Sequence, residues 1–100
     1  MRTYSRGDTL LVTGFTNLGG DNAFLLREFA HAALKEEHRF VEIDLAGTEY
    51  VDSEGLGALI SVQRRLGSRQ GRVRLIHVKP MVAQFFELLH LDAVFDLAPS

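Results

Sequence analysis

The sequence contains no cysteine, which excludes a disulfide framework, a thiolate metal site and a thiol nucleophile. Its formal net charge is only -2, which argues against bulk attraction to nucleic acid or to an anionic membrane. No apolar run approaches the roughly 20 residues that span a bilayer, and Met1 to Asp8 lack the apolar core of a signal peptide. We therefore expect a cytoplasmic protein with no nucleic-acid partner and no direct membrane insertion.

Apolar residues make up 46% of the 100 positions and charged residues 24%, a balance that is typical of folded globular chains. A chain of this length forms one core. The sequence has no linker, internal repeat or low-complexity tract that would divide it. We therefore predict a single domain over residues 1–100.

Strand patterns, in which apolar and β-favouring residues recur or alternate, occur in three main places along the chain. They cover Thr9–Gly14, Phe40–Leu45 and Val73–Val78. Around residues 94–97 the sequence predicts either a short final strand or a segment that covers the edge of the core.

Helix patterns separate these strands, each with apolar residues at three- and four-residue spacing. The first helix is predicted to be capped by Asp21 or Asn22 and to end in a solvated charged run over 35–39. The second opens at Asp52, and Pro80 is the predicted first residue of the third. The predicted buried faces comprise Leu26, Phe29, Ala30, Ala33 and Leu34, then Leu56, Leu59, Ile60 and Leu66, then Val82, Phe85, Phe86 and Leu89.

The alternation of strands and helices predicts an α/β fold. We expect a mixed β-sheet of four to five strands with three or four α-helices packed on it.

The residue types that carry most enzyme chemistry are not arranged in recognisable motifs. Ser53 follows a strand-to-helix turn but lacks the glycine two places earlier that a nucleophile elbow requires. The spacing of Gly14, Gly19 and Gly20 matches neither the Gly-x-Gly-x-x-Gly motif nor the Walker motif, the two glycine patterns that bind phosphate groups. We predict no enzyme activity, no cofactor and no metal, although an enzyme or nucleotide-binding module using Ser53 or residues 14–22 stays an alternative. The histidines also lack the close pairing of helical metal sites: His31, His38, His77 and His90.

Five arginines make the end of the second helix and the following strand locally basic. A solvated face near a helix C-terminus accounts for them, because the helix dipole favours cations there. Aromatic residues do not interleave with them, so a nucleic-acid footprint is not predicted. A protein-docking role stays open for this set: Arg64, Arg65, Arg69, Arg72 and Arg74.

The most informative local element is the turn that begins at Asp52. If Asp52 caps the helix and Ser53 is its first residue, the hydroxyl lies at the positive end of the helix dipole. A phosphate on Ser53 would add close to two negative charges there without unfolding the domain. The alternative from local chemistry is purely structural, with Glu54 complementing the dipole and Gly55 and Gly57 permitting close packing.

The turn at Asp52 and several other stretches of the sequence resemble those of a known protein family. Tyr50–Leu59, with its Asp-Ser-x-Gly-Leu-Gly element, resembles the signature turn of STAS domains, the anti-sigma factor antagonist family. Phe40–Gly47 resembles the strand before that turn. Val78–Val82 and Phe86–Phe95 resemble the closing strand-Pro-helix segment of the family, including its Leu-Asp-x-x-Phe ending. The resemblance extends over nearly the whole chain.

The resemblance implies a bacterial signalling protein that regulates transcription by partner switching. The unphosphorylated domain would bind an anti-sigma factor that is also a serine kinase of the GHKL ATPase type, and so release a sigma factor. That kinase would phosphorylate the serine after the signature aspartate, here Ser53, and a PP2C-type phosphatase would restore it. The implied partner-binding surface comprises Asp21, Asn22, Asp52, Ser53, Glu54, Gly55 and Leu56.

Three residues depart from the family pattern. Glu54 stands where a small Ser or Thr is frequent, and Asn17 stands where the family has an acid. His90 occupies a helix-end position that is often glycine. The alternative function is a constitutive STAS scaffold subunit of a stressosome-like or lipid-transport complex, in which Ser53 would not act as a switch.

Overall fold

The backbone forms one mixed β-sheet with three α-helices in a computed structural model that describes residues 1–99. The strands are β1 (Arg2–Arg6), β2 (Thr9–Thr13), β3 (Phe40–Asp44), β4 (Arg72–Val78) and β5 (Asp96–Pro99). The helices are α1 (Gly20–Ala33), α2 (Ser53–Gly67) and α3 (Pro80–Leu88), followed by a 3-10 turn over Leu91–Ala93. The predicted α/β class and the predicted numbers of strands and helices are therefore confirmed.

The strands lie in the sheet in chain order, β1 to β5. β1 is antiparallel to β2, whereas β2, β3, β4 and β5 are successively parallel. Gly7, with a φ of +58°, makes the tight turn between β1 and β2 in a conformation that glycine adopts without strain. The sequence pattern did not predict β1, because its Arg-Thr-Tyr-Ser-Arg sequence has no apolar alternation.

The helices cover one face of the sheet. Alternate residues of the three inner strands are buried, as the period of two predicts. Their opposite face remains partly exposed, and there the guanidinium of Arg74 lies 3.8 Å from the ring centroid of Phe40. The buried core joins both layers and includes Leu10, Val12, Leu26, Ile43, Leu59, Leu66, Leu75, Phe86 and Phe95.

The start of α1 differs from the prediction. Its N-cap is Gly19, in extended conformation and without a side-chain cap, so neither Asp21 nor Asn22 caps this helix. The prediction failed because the helix begins two to three residues earlier than its first polar residues suggested. Two residues predicted to be buried, Phe29 on α1 and Leu89 at the C-cap of α3, are 37% and 47% exposed, so these two predictions were wrong.

The ends of α3 follow the sequence more closely. Pro80 is in the first turn, where its missing N–H costs no hydrogen bond. His90 adopts a left-handed conformation with a φ of 58° and precedes the 3-10 turn, so a residue that tolerates this region occupies the position often taken by glycine.

Among residues 1–99, none of the helices combines the length and the apolar content needed to cross a lipid bilayer.

Candidate functional site

The candidate site is the turn at the start of α2, here called the Ser53 turn and comprising residues 50–56. Asp52 is the N-cap, and its Oδ1 accepts a hydrogen bond of 2.9 Å from the backbone N–H of Gly55. The backbone N–H of Leu56 donates to the carbonyl oxygen of Asp52 at 2.9 Å. Ser53 is therefore the first helical residue and is exposed, as the sequence predicted.

The Ser53 turn is attached to the loop that follows β2. Leu18 and Val51 form an isolated parallel β-bridge. The N–H of Leu18 donates to Tyr50 O, and the N–H of Asp52 donates to Leu18 O, each at 3.1 Å. This pairing extends the parallel β2–β3 arrangement beyond the ends of the strands and fixes the direction in which the chain enters α2.

Asn17 joins the same two loops through its side chain. Its Oδ1 accepts hydrogen bonds from the backbone N–H groups of Glu49 at 2.7 Å and Tyr50 at 3.2 Å. Its carbonyl oxygen accepts a hydrogen bond of 2.6 Å from Nδ2 of Asn22. Because only the oxygen of the Asn17 side chain is used, an aspartate at this position could make the same two contacts.

Two glycines allow the loops and helices to approach closely. A Cβ on Gly19 would lie 2.5 Å from Cγ and 2.8 Å from Oδ1 of Asp52. A Cβ on Gly55 would lie 2.9 Å from the carbonyl carbon of Leu18 and would overlap its oxygen. Larger side chains would therefore push α1 or the β2–α1 loop away from the Ser53 turn.

The predicted partner-binding residues divide into two groups by exposure. Asp21, Asp52, Ser53 and Glu54 are exposed around the adjacent N-termini of α1 and α2, forming an acidic rim around one hydroxyl. The other three lie deeper: Asn22 and Leu56 are half-buried, and Gly55 is buried beneath Leu18. Gly55 and Asn22 thus contact the protein's own loops, and the exposed group forms the surface that a partner would meet.

Apolar side chains near this rim were not predicted as part of the site. Phe24 on α1 is 62% exposed, Tyr50 is 56% exposed and Met81 on α3 is 79% exposed. Lys79 pairs with Glu49 at 3.7 Å, which places the start of α3 beside the Ser53 turn. The sequence could have indicated Phe24 as an exposed apolar residue, because it falls between the buried positions of α1 and has no partner in the core.

The histidines and the arginine cluster are dispersed rather than assembled into one site. Among residues 1–99, no three His, Asp or Glu side chains converge as possible metal ligands. On the open sheet face Arg72 pairs with Asp96 at 2.9 Å and Arg74 with Glu42 at 3.4 Å. Two of the five arginines are therefore neutralised within the sheet.

Removing the Asp52 cap provides a test of this local structure. We expect Asp52→Ala to lower the free energy of unfolding by about 1 kcal/mol, because the N–H of Gly55 loses its acceptor. Asp52→Asn should keep most of the stability, since asparagine caps helices equally well. Urea denaturation measures both variants, and an Asp52→Ala protein as stable as the unmodified chain would contradict the capping role.

The fold is that of a known family of small domains. The family model described as "Mlab, STAS domain" matches residues 4–98, and the chain belongs to the STAS domain family. It is 32% identical over 79 residues to BtrV of Bordetella bronchiseptica, which is named as an anti-sigma factor antagonist. That match covers 79% of this chain and 68% of BtrV.

Solved structures of anti-sigma factor antagonists share the fold. SpoIIAA in its unphosphorylated form superposes with a TM-score of 0.78 at 19% identity, covering 99% of this chain and 88% of SpoIIAA. The phosphorylated form of SpoIIAA from Bacillus gives 0.73 at 18% identity, covering 99% and 91%. An antagonist from Mycobacterium paratuberculosis gives 0.80 at 22% identity, covering 99% and 84%. Anti-sigma factor antagonists are regulatory proteins that act by binding anti-sigma factors.

Proposed function

We propose that this protein is a phosphorylation-controlled anti-sigma factor antagonist whose switch is Ser53. In the unphosphorylated state it binds an anti-sigma factor of the GHKL kinase type and so releases a sigma factor. Phosphorylation of Ser53 by that kinase ends the binding, and a PP2C-type phosphatase restores it. The chain itself supplies no catalysis, because the kinase brings ATP and the phosphatase brings its own active site.

The observation that carries this proposal is the position of Ser53. Its hydroxyl is exposed at the first residue of a capped helix, where the amide groups of the first turn have no intrahelical partners. The turn is fixed to the rest of the fold by the bridge between Leu18 and Val51, so a kinase meets a defined backbone.

The surrounding charge explains why a phosphate would end binding. Asp21, Asp52 and Glu54 already make this rim acidic, and Lys79 at the start of α3 is paired with Glu49. A phosphoryl group would raise the negative charge by about two units at the centre of the contact surface. The proposed kinase site that faces this surface must itself hold the phosphates of ATP, so a further dianion left unpaired at that contact would cost the complex several kcal/mol of affinity.

The first experiment identifies the modified residue. The protein is incubated with the anti-sigma factor kinase of its own bacterium and with ATP and Mg²⁺, and the products are mapped by mass spectrometry. We expect one phosphate, located on Ser53. Ser68→Ala is the matched control, because Ser68 is an exposed serine at the C-terminal end of the same helix. A phosphate found at another residue, or none with Ser53 intact, would refute the assignment.

The second experiment measures binding to the same kinase by calorimetry. We expect Ser53→Ala to bind like the unmodified protein and Ser53→Asp to bind at least about tenfold more weakly, because it adds an unpaired charge at the interface. If neither substitution changes the affinity, the protein is a constitutive scaffold subunit of the kind found in stressosome-like or lipid-transport complexes, and the switch proposal fails.

A further inference from the structure

A groove lies between α1 and α2. Its volume is about 240 Å³, and its polar lining comes from Arg27, Glu28 and His31 on α1 and from Ser61 and Arg65 on α2. The helices run side by side in the same direction, because Gly19 contacts Asp52 at one end and His31 contacts Arg65 at the other.

Arg27 reaches across this groove to α2. Its Nη2 lies only 2.7 Å from the point where a Cβ on Gly57 would stand, so the absence of a side chain at Gly57 makes room for the guanidinium. Gly57 and Ser61 lie one turn apart on α2 and bear the smallest side chains along this stretch of the groove. The guanidinium of Arg27 therefore lies over the part of α2 between the Ser53 turn and Arg65.

Arg65 also enters the groove without meeting a carboxylate. Its Nη1 lies 3.3 Å from Nδ1 of His31. Because an arginine can only donate, the ring nitrogen is the acceptor in this contact. The salt bridges among residues 1–99 lie elsewhere, so neither Arg27 nor Arg65 is neutralised by an ion pair.

The groove is basic, although the net charge of the protein is negative. Glu28 is the single carboxylate in its lining, against two guanidinium groups. Further along α2, just beyond its C-terminus, Nη1 of Arg69 donates to the carbonyl oxygens of Lys35 at 2.6 Å and His38 at 2.9 Å, contacts that leave its positive charge unpaired. The surface formed by α1 and α2 is thus acidic at the Ser53 end and basic towards Arg65.

We propose that this α1–α2 groove binds an acidic peptide segment of a protein partner. Carboxylates of the segment would pair with Arg27 and Arg65, and the hydroxyl of Ser61 would donate a further hydrogen bond. From Gly57, where Arg27 lies over α2, to Arg65 the helix rises about 12 Å, which an extended segment of about four residues spans. The inference does not depend on phosphorylation of Ser53.

A peptide fits these observations better than a long polyanion does. The groove is small, about 240 Å³, and the acidic rim of Asp21, Asp52 and Glu54 lies on the same two helices, at their N-terminal ends. Together with a net charge of -2, this rim repels a continuous phosphate backbone or an anionic bilayer surface. A short segment with localised carboxylates can occupy the basic part alone and avoid the rim.

The first test is an NMR titration of the ¹⁵N-labelled protein with a six-residue peptide of alternating glutamate and serine. We expect saturable chemical-shift changes centred on Gly57, Ser61 and Arg65, and weaker binding as salt rises. The matched control peptide has glutamine in place of glutamate and should cause no saturable change. Equal binding of the two peptides, or changes centred outside the groove, would overturn the proposal.

Charge-removing variants locate the site. Arg27→Gln and Arg65→Gln should each weaken binding of the glutamate peptide by about two- to fivefold, the range typical of exposed ion pairs. Arg64→Gln is the control, because Arg64 is an exposed neighbour on the same helix that does not line the groove. An equal effect of Arg64→Gln would show that the peptide binds through the overall positive charge of this surface and not through the groove. If a DNA duplex or anionic vesicles bind at the same residues more tightly than the glutamate peptide does, the groove is a site for those partners and the peptide proposal is refuted.

Discussion

Alanine at position 55 should lower the free energy of unfolding by roughly 3 kcal/mol, the upper part of the range for overpacking a close contact. The added Cβ would overlap the carbonyl group of Leu18, whose oxygen also accepts the hydrogen bond from the N–H of Asp52. Both colliding groups belong to the backbone, so the clash cannot be relieved by rotating a side chain. The Ser53 turn and the β2–α1 loop would have to separate.

Thermal unfolding followed by circular dichroism measures this loss, which corresponds to a fall in Tm of roughly 10–20 °C for a domain of this size. Gly57→Ala is the matched control on the same helix. A Cβ there meets only the movable end of Arg27, and alanine favours a helix over glycine by about 1 kcal/mol. We expect Gly57→Ala to be neutral or stabilising. Equal losses at the two positions would contradict the role of the Leu18 contact.

The second large effect is expected at His38, whose side chain is fully buried at 0% exposure. Its Nδ1 accepts a hydrogen bond of 2.9 Å from the N–H of Lys35, and its Nε2 lies 2.7 Å from Oγ of Ser5. His38→Ala leaves a cavity and an unsatisfied N–H, and should lower the free energy of unfolding by about 3 kcal/mol.

Urea denaturation measures the His38 effect. His31→Ala makes the same substitution at an exposed position of α1 and should change the stability by no more than about 0.5 kcal/mol. Ser5→Ala removes one hydrogen bond and leaves the histidine ring in place. It should lower the free energy of unfolding by about 1 kcal/mol, between the effects of the two histidine substitutions. A His38→Ala protein no less stable than Ser5→Ala would show that the buried ring contributes little.

Local chemistry was sufficient to predict much of the architecture. The alternation around Val41 and Ile43 identifies a strand with one buried face, and Pro80 marks the first turn of α3. Asp52 is identified as a cap because it precedes a helical apolar pattern by the spacing that capping requires. Each of these features depends on residues that are only a few positions apart in the sequence, so a local propensity or a hydrogen bond between near neighbours is enough to predict it.

Features that depend on distant partners were not predictable in this way. β1 is a strand because β2 offers it a hydrogen-bonding edge, and nothing within Arg2–Arg6 indicates this. His38 lies in a charged run that was expected to be solvated, which is wrong for this residue because the run folds over Ser5, 33 residues away. Gly19 caps α1 through the backbone, so no polar side chain marks that end.

The candidate site shows the same division. The sequence indicates the exposed hydroxyl of Ser53 and its cap, since both arise within α2. It does not indicate that Asn17 binds the backbone of Glu49 and Tyr50. The acidic rim is likewise formed by two helix N-termini that only the tertiary fold brings together.

The attachment of the Ser53 turn has a consequence for the folding of the chain. The contacts that position it join residues more than 30 apart, from Asn17 to Glu49 and from Leu18 to Val51. Contacts of long sequence separation carry a large loop-closure entropy and slow the folding of a domain. The turn therefore acquires its shape only when β2 and β3 are already paired, so a partner that recognises this shape selects completed molecules over nascent or misfolded ones.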